Sequence, residues 1–200
     1  MSLQVLAEAA AQLNRAAGLK KPLPPLLFFT DPQRTPDPAA IARRLPAGSA
    51  VVLRLFGAAD ALEQAEHLRV LTQKHGLKLL IGADAELAAK VEADGVHLPE
   101  RLVQEASRLR QAHPHWLITA AAHAEAALAA AQDVDAAVVS PVFPSLSPSA
   151  GAPLSVQRFS AMVHTAKIPV YALGGVTVET VGELEGSGAA GVAAVGGLAD

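Results

Sequence analysis

The chain of 200 residues contains no cysteine, one tryptophan, one tyrosine and five phenylalanines. Without cysteine there is no disulfide framework, no thiolate zinc site and no cysteine nucleophile. Charge is sparse too: 16 Lys and Arg stand against 19 Asp and Glu, a formal net charge of -3. That balance leaves no electrostatic footprint for nucleic acid. No apolar run reaches the roughly 18 residues of a membrane span. No basic leader precedes an apolar stretch at the N-terminus. A cytoplasmic protein with neither nucleic-acid nor membrane partners is expected. What is plentiful is hydrophobic residues, at 51%, which argues against disorder. The length of 200 residues suits one domain, near the lower limit for a closed α/β barrel.

Leu3, Leu6, Ala10 and Leu13 recur at helical spacing, so the chain opens on a helix that Gly18 ends. The proline-rich stretch from Lys20 to Pro25 cannot be helix. Residues 1–25 are therefore read as an N-terminal helix and linker, and 26–200 as one barrel. Eight short apolar runs follow, at 26–29, 50–53, 78–81, 95–98, 116–119, 136–139, 169–173 and 191–195. Each suits a parallel strand buried on both faces. Helical patterns separate most of them, at 60–75, 84–92, 100–112, 123–132, 155–166 and 177–186. Eight strands alternating with helices predict an α/β fold, a (β/α)8 TIM barrel. A doubly wound open sheet is the alternative, but no Gly-x-Gly-x-x-Gly turn follows the first strand. The last outer helix is missing after strand 8. The N-terminal helix, or a partner subunit as in a homodimer, is needed to cover that apolar face.

Barrel active sites lie at the C-terminal ends of the strands. There the sequence places Gly174-Gly175 and Gly196-Gly197. Paired glycines let backbone N–H groups approach an anion, and the loops after strands 7 and 8 often bind phosphate. Ser145 and Ser147 supply hydroxyls after strand 6. Arg54 is a cation at the end of an apolar strand, suited to an anion or to an ion pair with Asp31 or Asp84. His97 is the only histidine within a strand, where it either packs toward the helices or serves as an acid or base. His113 and His115 fall at the opposite end and are read as structural. No dense metal-ligand spacing occurs.

Phe28-Phe29-Thr30-Asp31, Ala93-Asp94-Gly95-Val96-His97-Leu98, Pro141-Val142-Phe143-Pro144 and the segment from Ile168 to Val176 follow one another in order. Together they resemble the thiamine phosphate synthase/TenI family from about Leu26 to Leu198. The resemblance implies a (β/α)8 barrel and a small phosphorylated substrate. Synthase members join a pyrimidine pyrophosphate to a thiazole phosphate with Mg²⁺. TenI members aromatise the thiazole phosphate by tautomerisation.

The family's functional positions carry over unevenly. Of the Gln-x-Arg-x-Lys run at strand 2 only Arg54 remains. The Asn-Asp pair that ends strand 3 is Gly82-Ala83, and the second magnesium position is Leu102. Ala121 stands for a serine after strand 5. The loop after strand 6 keeps Ser145 and Ser147 but loses its lysine. The TenI histidine position is Pro141. No metal cofactor is therefore expected, because alanine and leucine supply no oxygen ligand. The expected function is recognition of a thiazole phosphate by Arg54, Ser145, Ser147, Gly174, Gly175, Gly196 and Gly197, with TenI-like chemistry. His97 and His123 are the catalytic candidates. A synthase with a rebuilt magnesium site and a non-catalytic binder are the alternatives.

Overall fold

The computed structural model describes residues 2–145 and 151–198, so Ser147 lies outside the described residues. Eight parallel strands close into a barrel in sequence order. They are β1 Leu26–Phe29, β2 Ala50–Leu53, β3 Lys78–Gly82, β4 Gly95–Leu98, β5 Leu117–Ala122, β6 Ala136–Val139, β7 Val170–Ala172 and β8 Gly191–Ala194. Ring closure pairs β8 with β1, Ala193 opposite Leu27.

Alternate side chains separate into two cores. Leu27, Phe29, Val52, Leu80, Val138 and Tyr171 fill the barrel interior. Phe28, Val51, Leu79, Val96, Ile118 and Val192 face the helices. Both faces are dry, which is why the strands read as unbroken apolar runs. Burying each large side chain contributes about 2 kcal/mol.

The helices are α1 Ser2–Ala16, α2 Pro38–Ala42, α3 Ala61–Lys74, α4 Ala85–Lys90, α5 Ala106–Ala112, α6 Glu125–Ala130 and α7 Val156–Thr165. Three stretches differ from the sequence pattern, the first being the helix expected over 100–112, which starts as a 3-10 turn at Glu100–Glu105. The helix expected over 177–186 is only a 3-10 turn at Val181–Leu184, because Gly182 and Gly186 weaken it. The short α2 was not anticipated; Asp37 caps it by accepting the Ala40 N–H, with Pro38 just inside.

Among the described residues only a 3-10 turn, Gly196–Leu198, follows β8. The outer face of β8 is covered by α1, which packs on β8, on β1 and on the Val181–Leu184 turn. Leu6 and Ala10 of α1 have no exposed surface. Asn14 Nδ2 donates to the Ala190 carbonyl at 2.6 Å and to that of Leu23 at 3.3 Å. The face is thus covered from within the chain.

The N-terminal end of the barrel is closed. Asp94, just ahead of β4, accepts the Leu79 N–H at 2.8 Å and Arg69 Nη1 at 2.7 Å. Asp135, just ahead of β6, repeats this with the Ile118 N–H at 2.9 Å and Arg110 Nη2. Tyr171 Oη donates to the Pro24 carbonyl at 2.6 Å. His113 stacks on Trp116 with ring centroids 3.7 Å apart. No described helix is long and apolar enough to cross a membrane.

Candidate functional site

The other end of the barrel opens into a cavity of about 1450 Å³. Its floor is Phe29 and His97, in edge contact with ring centroids 4.8 Å apart. His97 lies between outward Val96 and Leu98, so it points into the barrel and not toward the helices. Of the two orientations the sequence leaves open, register with Gly82 and Thr119 selects the inward one. His97 Nδ1 lies 3.0 Å from Thr119 Oγ1. Burial, with Arg54 nearby, pushes its pKa down to about 3. His97 is therefore a neutral imidazole at ordinary pH.

His123 sits higher, at the exposed rim beyond β5. Its backbone N–H donates to Glu100 Oε2 at 3.0 Å. Its Nδ1 is 3.0 Å from the Ser140 carbonyl and 3.4 Å from Ser140 Oγ. A carbonyl only accepts, so Nδ1 carries the proton and Nε2 keeps the lone pair of the neutral ring.

Gly174 and Gly175 line the cavity with φ values of 89° and 66°. A Cβ on Gly174 would lie 2.7 Å from Pro141 Cα, and one on Gly175 would lie 2.3 Å from the Pro144 carbonyl oxygen. The pair is glycine because the loop after β6 lies directly against it and because the left-handed backbone disfavours any other residue. The amide groups of Gly174, Gly175 and Val176 find no acceptor among the described residues. Gly196 and half-buried Ser145 line the same cavity. Gly197 belongs to the Gly196–Leu198 turn.

Arg54 resolves the choice between Asp31 and Asp84. Its Nη2 lies 3.3 Å from Asp31 Oδ2, and its Nε donates to the Thr30 carbonyl at 2.7 Å. Asp84 instead caps α4 by accepting the Leu87 N–H at 2.8 Å. Burial lowers the Arg54 pKa and Asp31 opposes that shift. Phe29 and Phe56 approach the same guanidinium, with centroids 5.7 Å and 5.3 Å away.

The structure adds cavity residues that the sequence reading missed. Arg34 donates Nη2 to Asp31 Oδ2 at 2.9 Å and lines the cavity, as does Arg101. The signal for Arg34 was local. Asp31 Oδ1 accepts the N–H groups of Gln33 and Arg34, each at 3.1 Å, an Asx turn that an Asp-Pro-Gln-Arg run encodes. Arg34 holds the Asp31 pKa down to about 2, chiefly through its side-chain hydrogen bond. Ser140 was missed for want of any local signal.

A family profile described as thiamine monophosphate synthase matches residues 26–198. The chain belongs to this family. A thiamine-phosphate synthase of Limosilactobacillus fermentum is 31% identical over 140 residues, 68% of this chain and 66% of the relative. A protein of Aquifex aeolicus, provisionally named thiamine-phosphate synthase 2, is 34% identical over 133 residues, 66% of this chain and 71% of the relative. The chain thus spans about two thirds of the length of these relatives. Thiamine phosphate pyrophosphorylase from Pyrococcus furiosus shares the fold, with a TM-score of 0.71 at 23% identity over 85% of this chain and 84% of that one.

Membership raises the question of magnesium. The corresponding positions are Ala83 and Leu102, whose side chains carry no oxygen. The nearby carboxylates are committed: Asp84 to the start of α4, Glu100 to the His123 N–H, Asp31 to two guanidiniums. Among the described residues, no three His, Asp or Glu side chains are grouped to hold a metal ion. The donor set at these positions does not fit magnesium, which favours carboxylate oxygens.

Proposed function

We propose that this member of the thiamine monophosphate synthase family binds a thiazole phosphate and catalyses a metal-independent proton transfer on it, as TenI-type chemistry requires. The phosphate rests on the amides of Gly174, Gly175 and Val176, which have no acceptor among the described residues, with Gly196 and Ser145 alongside. Free N–H groups on a left-handed glycine pair make an anion-binding concavity. The heterocycle extends down toward Phe29 and His97 on the cavity floor.

The observation that carries the reading is the orientation of His123. Its Nδ1–H is fixed on the Ser140 carbonyl, which leaves Nε2 as the base. Nε2 takes a proton from a ring carbon, the freed electron pair enters the conjugated ring, and the imidazolium returns the proton at a second position. The overall change is a tautomerisation that needs no other reactant. His97 takes no part in that proton transfer, because burial makes its imidazole too weak a base. It offers a hydrogen bond to the heterocycle instead.

The names of the relatives favour a second reading, synthesis of thiamine phosphate from a pyrimidine pyrophosphate. Calorimetric titration with thiazole phosphate, and separately with pyrimidine pyrophosphate plus Mg²⁺, separates the two. The expected result is binding of thiazole phosphate in EDTA. Tautomer turnover in EDTA should fall roughly a hundredfold or more in His123→Asn, the usual scale of general-base loss. Metal-dependent binding of the pyrimidine pyrophosphate, with product formed, overturns the proposal in favour of the synthase.

A further inference from the structure

Three large hydrophobic side chains stand exposed among the described residues: Val5, Phe56 and Val70. Val5 and Val70 lie on the outer helices α1 and α3. Single apolar residues on an outer surface need no explanation. Phe56 is a different case, because its ring lines the cavity and is 70% exposed there.

The backbone that presents this ring is costly. The Ala58 N–H donates to the Leu55 carbonyl at 2.9 Å, and the two residues between have φ values of 49° at Phe56 and 81° at Gly57. Positive φ at both central positions makes a type I′ turn, which favours Asn, Asp or Gly at the first of them. Phenylalanine in that place crowds its Cβ against the following carbonyl. Strain of this kind clusters where a side chain has a use in a site.

The use is not to hold Arg54. Its Nε is bound to the Thr30 carbonyl at 2.7 Å and its Nη2 to Asp31 at 3.3 Å. The guanidinium lies over one face of Phe56, 5.3 Å from the centroid, and over Phe29 at 5.7 Å. Such a contact at an exposed site does not exceed the cost of the left-handed residue. Phe29, Arg54 and Phe56 thus form one wall from the floor of the cavity to its rim, and the outer face of Phe56 is left open.

That wall stands across the mouth from the proposed phosphate site. Strands β7, β8, β1 and β2 are consecutive around the barrel, so three spacings of about 4.8 Å separate the ends of β7 and β2. A ring tied by a short linker to a phosphate at Gly174–Val176 lies between them. The cavity, about 1450 Å³, exceeds the range of roughly 300–1,000 Å³ usual for small-ligand sites. Phosphate contacts alone leave such a ring free to swing.

We infer that Phe56 is a specificity-determining residue whose open face packs on the uncharged heterocycle of the bound phosphate ester. The site then favours flat rings over ringless esters of the same charge. The inference deepens the proposed function and rests on the phosphate site at Gly174–Val176.

The test is calorimetric titration in EDTA with thiazole phosphate and with methyl phosphate, on the wild type, Phe56→Asn and Phe56→Tyr. The readout is the ratio of the two affinities. Asn suits the left-handed turn, so Phe56→Asn removes the ring without straining the backbone. The ratio should fall about threefold to tenfold in Phe56→Asn, the scale of one aromatic stacking contact. Methyl phosphate affinity should not change, and Phe56→Tyr should restore the ratio to within about twofold. The melting temperature of Phe56→Asn should rise by about 2–4 °C as the strain is relieved. A ratio unchanged by Phe56→Asn overturns the inference, whether both affinities hold or fall together. A fall in the ratio accompanied by a lower melting temperature also overturns it, since the ring would then serve the fold. If methyl phosphate binds and the ratio survives the substitution, only the role of Phe56 fails; if neither ligand binds the wild type, the phosphate site fails and the inference with it.

Discussion

The two ends of this barrel are made by the same eight strands, yet they treat polar groups in opposite ways. At the N-terminal end, Asp94 and Asp135 each tie a strand N–H to an arginine, and Tyr171 reaches Pro24. Most donors and acceptors there are matched within the chain, with Arg69 Nε and Ser49 Oγ as buried exceptions among the described residues. At the C-terminal end, three consecutive amides after β7 and several guanidinium N–H groups have no partner among the described residues. Donors that face an open cavity are hydrated when no ligand is bound and stay available to one, which supports the proposed site.

The comparison can be broken most forcefully at Gly175. Gly175→Val places a side chain against the Pro144 carbonyl in a left-handed backbone. The combined penalty is about 3 kcal/mol, and phosphate binding should be lost with it. A melt that matches the wild type, with affinity retained, would contradict both expectations. Asp135→Ala attacks the opposite end. It strands the Ile118 N–H and Arg110, and should cost about 2 kcal/mol of stability. Ligand affinity measured by calorimetry should not change, because the cavity is untouched; a parallel loss of affinity would mean the two ends are coupled.

The smallest effect concerns pH and sharpens the role of His97. The folded-state pKa of about 3 lies below the ordinary value of 6.5, so the unfolded chain binds the proton first as pH falls. The stability contributed by neutral His97 is present above 6.5 and is lost as pH drops toward about 3. From pH 7 to pH 5 that loss is about 2 kcal/mol. Urea unfolding at the two pH values should show His97→Gln losing correspondingly less than the wild type. Equal losses would mean that His97 is not held neutral.

The framework of the molecule was legible in the sequence because buried parallel strands write themselves as short continuous apolar runs. All eight such runs are strands, with ends that differ by one residue at β3, β7 and β8 and by up to three at β5. The cavity was legible in part. Arg54, His97, His123, Ser145, Gly174, Gly175 and Gly196 line one cavity, because strand ends in a barrel converge. What the apolar run hid was facing. A fully buried strand gives no alternation, so the inward orientation of His97 needed the pairing register. The Ser140–His123 pair was hidden as well, since it joins residues 17 apart on neighbouring strand ends. Arg34 belongs to a turn, and the sequence offers Asp31 only as one of two possible partners of Arg54.

The covering of β8 by α1 has a consequence for the order of events during synthesis. The first helix completes its contacts only when the last strand exists, since Asn14 bonds to Ala190 and Leu26 pairs with Val192. Such contacts span nearly the whole chain and are the slowest to form. Until the ribosome releases the C-terminal segment, the apolar stripe of Leu3, Leu6, Ala10 and Leu13 has no strand 8 to cover. In the nascent chain that stripe stays uncovered until strand 8 has been made, and an uncovered apolar stripe is a surface suited to a chaperone.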